Sequence, residues 1–372
     1  MKRIIVAGGG VAAFESASAA RKTDADAEII IYSKELVLPY RRPALSALAA
    51  GDDAPSGTFF IKDSCFYSDN SITVKNGSSV EKIFSSDHTV ELSDGSVVSY
   101  DKLIIATGAT ARRIPVPGAD GANTFVLRDY QDLVSMRKLI AGRKLRCAII
   151  GGGLLGLELA DSLLARGCKV TVIESASRLL PRNLDEEGSR FLLERISKVN
   201  DLEILSGKKV SAVTPDGVVL DSGVVECDLV AFSAGSSAFV PECAGLAVNR
   251  GIIADKYMRT NLPDIWTAGD CSEINGVVCG LYTMASAMGK VAGVCAAGGD
   301  AEYKEAVCPA RLNAFELKLF SAGLLDDHLQ SQVTSNGDDY SRVFYHEDGR
   351  VAGVVLIGNV SAGTKYLKML EA

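Results

Sequence analysis

Ile4-Ile5-Val6-Ala7-Gly8-Gly9-Gly10-Val11-Ala12-Ala13 and Cys147-Ala148-Ile149-Ile150-Gly151-Gly152-Gly153-Leu154-Leu155-Gly156 decide the fold of this chain. Each is an apolar run that feeds a glycine turn, and each turn opens a helical stretch. In such a turn the first glycine (Gly8, Gly151) permits the tight bend and the next one used (Gly10, Gly153) lets backbone approach a pyrophosphate. The third position (Ala13, Gly156) lets helix pack on strand, with helix N–H groups facing the anion. Two turns of this type imply two dinucleotide sites.

The strand downstream of each turn strengthens the reading. The second turn leads to Lys169-Val170-Thr171-Val172-Ile173-Glu174, a strand ending in an acid roughly 20 residues downstream, where a carboxylate accepts hydrogen bonds from adenosine ribose hydroxyls. Glu174 would repel a 2′-phosphate. The first copy runs Glu28-Ile29-Ile30-Ile31-Tyr32-Ser33-Lys34-Glu35, with serine where the acid is first sought. Glu35, two residues later, is taken as its ribose carboxylate.

A chain of 372 residues accommodates two or three domains, each with its own core. A net charge of −7 argues against nucleic acid as a partner, because phosphate binding draws on clustered Lys and Arg. Met1-Lys2-Arg3 precedes apolar residues, but the glycine triplet and Glu15 interrupt any signal-peptide core, and no apolar run is long enough to span a bilayer. The expectation is a cytoplasmic protein without membrane contact. Nine cysteines form no CxxC pair and no zinc-like or iron–sulfur spacing, and His88, His328 and His346 stand apart from any nucleophile pattern. No metal site is expected.

Between the turns, Ile72–Val74, Ser79–Ile83 and Thr89–Leu92 read as strands with a hairpin signal at Ser93-Asp94-Gly95. Tyr100-Asp101-Lys102-Leu103-Ile104-Ile105-Ala106-Thr107-Gly108 reads as a buried parallel strand ending in a glycine corner. Pro115 and Pro117-Gly118 then mark a crossing into a second unit of the same plan, with a meander from Ser211 to Val225 and a closing strand from Asp228 to Gly235. Further on, Ile265-Trp266-Thr267-Ala268-Gly269-Asp270 ends a strand with one carboxylate at a glycine-opened corner, which suits a polyol. Tyr282 to Ala297 reads as a tightly packed helix folding back onto the first unit. The final stretch has strands around Ser341–Tyr345 and Val351–Ile357 and a helix near Ala362–Leu370, with no nameable chemistry.

Gly8/Gly10/Ala13, Ala106-Thr107-Gly108, Gly151/Gly153/Gly156 with Glu158, and Ala268-Gly269-Asp270 occur in the order found in flavoproteins with two dinucleotide-binding domains, the pyridine nucleotide-disulfide oxidoreductase superfamily, which this chain resembles over residues 1 to 300. The resemblance implies an α/β fold of two Rossmann-like domains, for FAD and NAD, plus a small α+β C-terminal domain. The implied boundaries are 1–112 and 243–302 for FAD, 113–242 for NAD and 303–372 for the C-terminal domain. It also implies that Asp270 bonds the ribityl chain and that Glu158 lies near the nicotinamide, as the candidate catalytic residue. Arg42 and Pro43 beside the flavin ring, and Tyr282 and Thr283 at its pyrimidine end, are candidate supports.

Within that superfamily, Glu35-Leu36-Val37-Leu38-Pro39-Tyr40-Arg41-Arg42-Pro43-Ala44-Leu45-Ser46 resembles rubredoxin reductases, the NADH-binding portion of nitrite reductase large subunits, and ferredoxin reductases of oxygenase systems. The short C-terminal domain fits the first two. Ala47 stands where ferredoxin reductases usually place a lysine, and no cysteine lies between Tyr40 and Leu48, so a dithiol relay is not expected. Hydride transfer from NADH to flavin needs stacked rings and no general base, which suits a chain poor in histidine. The implied activity is NADH oxidation with a small electron carrier such as rubredoxin as acceptor. The alternatives are an NADH-oxidising subunit of a nitrite-reductase-like system and an FAD/NADH-binding redox sensor.

Overall fold

A computed structural model describes residues 1–51, 57–278 and 280–371. Its helices are α1 (Val11–Thr23), α2 (Ala44–Ala49), α3 (Ser64–Asp69), α4 (Tyr130–Ile140), α5 (Leu154–Ala165), α6 (Glu186–Ile196), α7 (Tyr282–Ala297) and α8 (Gly363–Leu370). Two sheets of parallel strands organise the first three quarters of the chain. One runs Ile265–Thr267, Lys102–Ile105, Arg3–Ala7, Glu28–Ser33, Ile72–Asn76, and the other Leu202–Ser206, Lys169–Glu174, Arg146–Ile150, Leu229–Phe232, Thr124–Val126. Their central strands are near-continuous runs of Ile, Val, Leu and Ala, the composition a strand needs when both faces of its sheet are covered. The result is the α/β fold of two Rossmann-like units.

The duplication extends to single hydrogen bonds. Gly8 N–H donates to the Tyr32 carbonyl and Gly151 N–H to the Ile173 carbonyl, both at 2.8 Å. In both units the following loop strand comes up against the turn glycine: a Cβ on Gly8 would lie 2.0 Å from the Ala106 carbonyl oxygen, and one on Gly151 would lie 2.3 Å from that of Ser233. Both glycines also have positive φ, +139° and +118°, where a side chain is strained in any case. The chain leaves the first unit through Ala109–Ala111 and returns through Ser236–Ala238, and these two segments pair antiparallel as a ribbon between the units.

Beyond Ala268 the polypeptide returns to the first unit as α7, which packs on α1 through its small residues. A Cβ on Gly289 would sit 2.4 Å from the Ala12 carbonyl oxygen, and one on Gly293 would sit 2.1 Å from that of Ser16. Ser16 Oγ donates to the Gly289 carbonyl at 3.0 Å in the same seam. The Ala and Gly spacing of this segment therefore reflects backbone lying on backbone.

The hairpin expected at Ser93-Asp94-Gly95 joins Thr89–Leu92 to Val97–Ser99, and the meander is built from Val210–Thr214, Gly217–Leu220 and Gly223–Glu226. The C-terminal segment holds more than the two expected strands. It is a five-stranded antiparallel sheet ordered Ala310–Ala314, Leu317–Gly323, Val351–Ile357, Tyr340–Tyr345, Gln330–Ser335, with α8 against it. Gln330–Ser335 is exposed along its whole length, so it lacks the apolar alternation that identifies a strand. The turn between the first two strands is Phe315-Glu316, which carries neither glycine nor asparagine. This sheet packs on the second unit: Leu157, Leu192 and Ile196 share a core with Leu312, Leu319, Phe344 and Val355. Buried Asp185, which caps α6, accepts from Tyr340 Oη at 2.7 Å and Arg342 Nη1 at 2.8 Å.

Gly293→Ala should therefore force α1 and α7 apart. The expected loss is at least about 2 kcal/mol of stability, by the cost of overpacking a close seam. Calorimetric or denaturant unfolding of the flavin-loaded protein checks it.

Candidate active site

Both glycine turns end at a helix N-terminus with no side chain in the way. Gly10 is the N-cap of α1 and Gly153 that of α5; neither helix start has a side-chain cap, and a Cβ on either glycine would meet nothing within 4 Å. Unpaired N–H groups opening onto free space are what a pyrophosphate requires. Ala13 is fully buried against the first sheet. Its counterpart Gly156 cannot take a methyl, because a Cβ there would lie 2.0 Å from the Gly151 carbonyl oxygen. Both cradles fit a dinucleotide.

The two units differ at the strand end. Register places Ser33 and Glu174 at corresponding positions, each one residue beyond the carbonyl that accepts from the turn glycine. Glu174 accepts from Gly152 N–H and Ala176 N–H, each at 2.8 Å, which fixes its carboxylate at the tip of the second turn. In the first unit the Ser33 hydroxyl fills the space beside Gly9. Glu35 sits farther out, bound to Tyr40 Oη at 2.7 Å and to Arg42 Nη2 at 2.6 Å. Arg42 also donates to the Arg128 carbonyl at 2.5 Å. Its guanidinium is thus turned into a network with Glu35 and Tyr40, and Pro43 behind it is the N-cap of α2.

Ala106 N–H donates to the Ala7 carbonyl at 2.7 Å, and Thr107 Oγ1 donates to the Phe239 carbonyl at 2.6 Å, tying the corner to the returning ribbon. Gly108 turns the chain at φ +72°. Gly269, at φ +85°, comes so close to α1 that a Cβ there would be 2.9 Å from Ala12 Cβ. Asp270 is thereby held over the first glycine turn. Its carboxylate pairs at 2.8 Å with Arg128, whose Nε donates to the Ala109 carbonyl. Sequence reasoning misses Arg128; a lone arginine ahead of a helix start carries no local signal.

Glu158 lies on the face of α5 that meets α2. Ser162, one turn later, donates from Oγ to the Ser46 carbonyl at 2.6 Å. Burial pushes the Glu158 carboxyl above its ordinary value, with the charge of Asp161 adding to the shift and Ser46 opposing it. The helix following Arg42-Pro43 and the helix behind the second turn are therefore in contact at Ser162. Tyr282 and Thr283 open α7, and Thr283 Oγ1 lies 3.6 Å from Cys308 Sγ. Cys271, the thiol that adjacency to Asp270 singles out, is fully buried with its Sγ directed at the Ile105 and Ala268 carbonyls.

A family described as pyridine nucleotide-disulphide oxidoreductase matches residues 2–289. The chain belongs to that family. It is accordingly an FAD-dependent NAD(P)H oxidoreductase. A second family, the rubredoxin NAD+ reductase C-terminal domain, matches residues 309–372. The chain is 30% identical over 372 residues to an NADH-rubredoxin oxidoreductase of Clostridium acetobutylicum, covering all of this chain and 94% of that one. It is also 30% identical over 383 residues to a nitrite reductase [NAD(P)H] of Bacillus subtilis, of which the chain spans 47%. A ferredoxin reductase structure from Rhodopseudomonas palustris superimposes with a TM-score of 0.88 at 25% identity, covering 98% of this chain and 93% of that one. No helix among the described residues is long and apolar enough to cross a membrane.

A carboxyl whose folded-state value is raised is destabilising once it must ionise. The penalty is absent at low pH and grows as pH rises through the carboxylate range toward the folded-state value. Glu158→Gln should therefore raise the melting temperature at neutral pH, and that gain should disappear as pH falls below the ordinary glutamate value. Melting curves of both proteins between pH 4 and 8 check this.

Proposed function

We propose that this protein oxidises NADH on an FAD held in its first unit and delivers the electrons to a small redox protein of the rubredoxin type. The observation that carries the reading is the pair of uncapped glycine-turn helices whose units meet at α2 and α5, in a chain whose C-terminal segment matches that of rubredoxin NAD+ reductases. Residues 1–112 and 243–302 hold FAD, 113–242 hold NADH, and 303–372 form the C-terminal domain. Gly8, Gly10 and Ala13 admit the FAD pyrophosphate to α1. Ala106, Thr107, Gly108 and Gly269 shape the corner that brings Asp270 to the ribityl hydroxyls, with Arg128 paired to its carboxylate.

Glu35 serves the adenosine ribose and holds Arg42 in place at once. Arg42, Pro43, Tyr282 and Thr283 frame the isoalloxazine. Gly151, Gly153 and Gly156 admit the NADH pyrophosphate to α5, Glu174 receives the ribose hydroxyls, and Glu158 stands between the two units as the residue beside the nicotinamide. Bound FAD supplies a hydride acceptor that can release electrons one at a time. The chain's own residues bind, orient and exclude water, so no base or nucleophile is required of them.

The nitrite reductase and NADH-rubredoxin oxidoreductase relatives share the same degree of identity, and the acceptor separates the two readings. NADH should bleach the flavin rapidly, and reduced enzyme should be reoxidised by rubredoxin with multiple turnovers in stopped-flow absorbance. Slow bleaching with a long-lived charge-transfer band would favour a redox sensor instead.

Glu174, with Arg178 as the one arginine close by in sequence, should favour NADH over NADPH at least tenfold in kcat/KM, or about 1.4 kcal/mol. Equal efficiency with the two nucleotides would refute the assignment. Asp270→Ala should lose a charged hydrogen bond to the polyol and weaken FAD retention by about 1–3 kcal/mol, measured by flavin release on dilution.

A further inference from the structure

The helix behind the second glycine turn is gripped from two sides. Toward the first unit, Ser162 donates to the Ser46 carbonyl of α2. On the adjacent face, Leu157 is fully buried in the core shared with Leu312, Ala314 and Leu317 of the C-terminal sheet. One turn on, Asp161 Oδ1 accepts the backbone N–H of Phe315 at 3.0 Å.

Phe315 and Glu316 form the tip of the hairpin between Ala310–Ala314 and Leu317–Gly323. Both have left-handed backbone, φ +56° and +59°. Such a tip ordinarily takes Asn-Gly or Asp-Gly, because β-carbon clashes disfavour this region for bulky residues. Two non-glycine residues stay there only where their surroundings hold them. Here the surroundings are the half-buried Phe315 ring, lodged between the core of the second unit and the core that joins it to the C-terminal sheet, and the carboxylate of Asp161. A charged acceptor makes that bond stronger than a neutral one would. The Asp185, Arg342 and Tyr340 cluster anchors the same sheet to α6.

We propose that Asp161 is a positioning residue for NADH oxidation: by holding the hairpin tip at Phe315 it fixes α5, and with it both Glu158 and the helix N-terminus at Gly153. The proposal rests on the reading of α5 as the NADH helix. It makes the C-terminal segment part of the donor side of the enzyme, whatever its role toward the acceptor. The latch and the charge of Asp161 are separable.

The test uses the full flavin-loaded chain with NADH and ferricyanide as a one-electron acceptor. D161A should raise KM for NADH about tenfold, while kcat stays within about twofold and flavin content and melting temperature are kept. F315A, which frees the tip from the other side, should raise KM in the same direction and carries the test if D161A does not accumulate. D161N, whose side-chain oxygen still accepts the Phe315 N–H, should bring KM back to within about twofold of wild type. Wild-type KM in D161A or F315A would overturn the proposal, and so would equal losses in D161A and D161N that track a lowered melting temperature. E158Q is measured alongside: unchanged NADH oxidation by E158Q would defeat the assignment of Glu158 to the nicotinamide, whereas the KM of D161A reads the positioning role separately.

Discussion

Backbone lying directly on backbone is the constraint that the rest of the structure obeys. Gly8 against the Ala106 carbonyl, Gly151 against the Ser233 carbonyl, and Gly289 and Gly293 against α1 each leave less room than a single methyl group needs. These approaches set how far each strand end stands from its neighbour, and so where each helix N-terminus opens. Interiors are close-packed and transmit such displacements. A methyl at any of these positions would move a glycine-turn helix start, the Asp270 carboxylate or both. Because α7 rests on α1 through the same kind of contact, Asp270, donated from a distant part of the sequence, arrives over the first turn.

The site is assembled where surfaces of different units meet, and polar side chains join them alongside an apolar core that Leu45 and Ala49 share with Leu159 and Leu163. Arg128 leaves the second unit to pair with Asp270 of the first, Arg42 reaches the Arg128 carbonyl, and Ser162 of α5 bonds the Ser46 carbonyl of α2. These bonds are directional and short in reach, so they fix orientation where apolar packing would allow sliding. The C-terminal sheet adds a third surface, placed by an apolar core around Leu157 and by the ion pair at Asp185. The helix carrying Glu158 touches all three surfaces, and its placement is the common product of their contacts.

Much of this was legible in the sequence because it is local. The apolar runs before Gly8 and Gly151, the glycine spacing, the Ala-Gly-Asp corner and the acid ending Lys169–Glu174 each need only a few adjacent residues to be recognised. What was hidden is long-range or breaks a local rule. Arg128 has meaning only beside Asp270, 142 residues away. The register gives Ser33 the position equivalent to Glu174, and the bond that joins Glu35, two residues later, to Arg42 leaves no local signal. The strands around Phe315-Glu316 escaped because a tight hairpin without glycine or asparagine gives no turn signal, and its cost is offset by contacts on another unit. Cys308 comes to Thr283 through tertiary folding, while Cys271, next to Asp270 in sequence, is turned into the core.

Passage of hydride from NADH to flavin with no thiol in the path is the central claim, since Tyr40 to Leu48 carries no cysteine and Cys271 is buried behind the Ala-Gly-Asp corner. Anaerobic titration of the flavin-loaded protein with dithionite or NADH, monitored by absorbance, measures this directly. The expected end point is two electrons per FAD, with activity retained after alkylation under native conditions. Uptake of four electrons per chain would place a redox-active cysteine beside the flavin, with Cys308 at Thr283 the first to examine, and would contradict the claim.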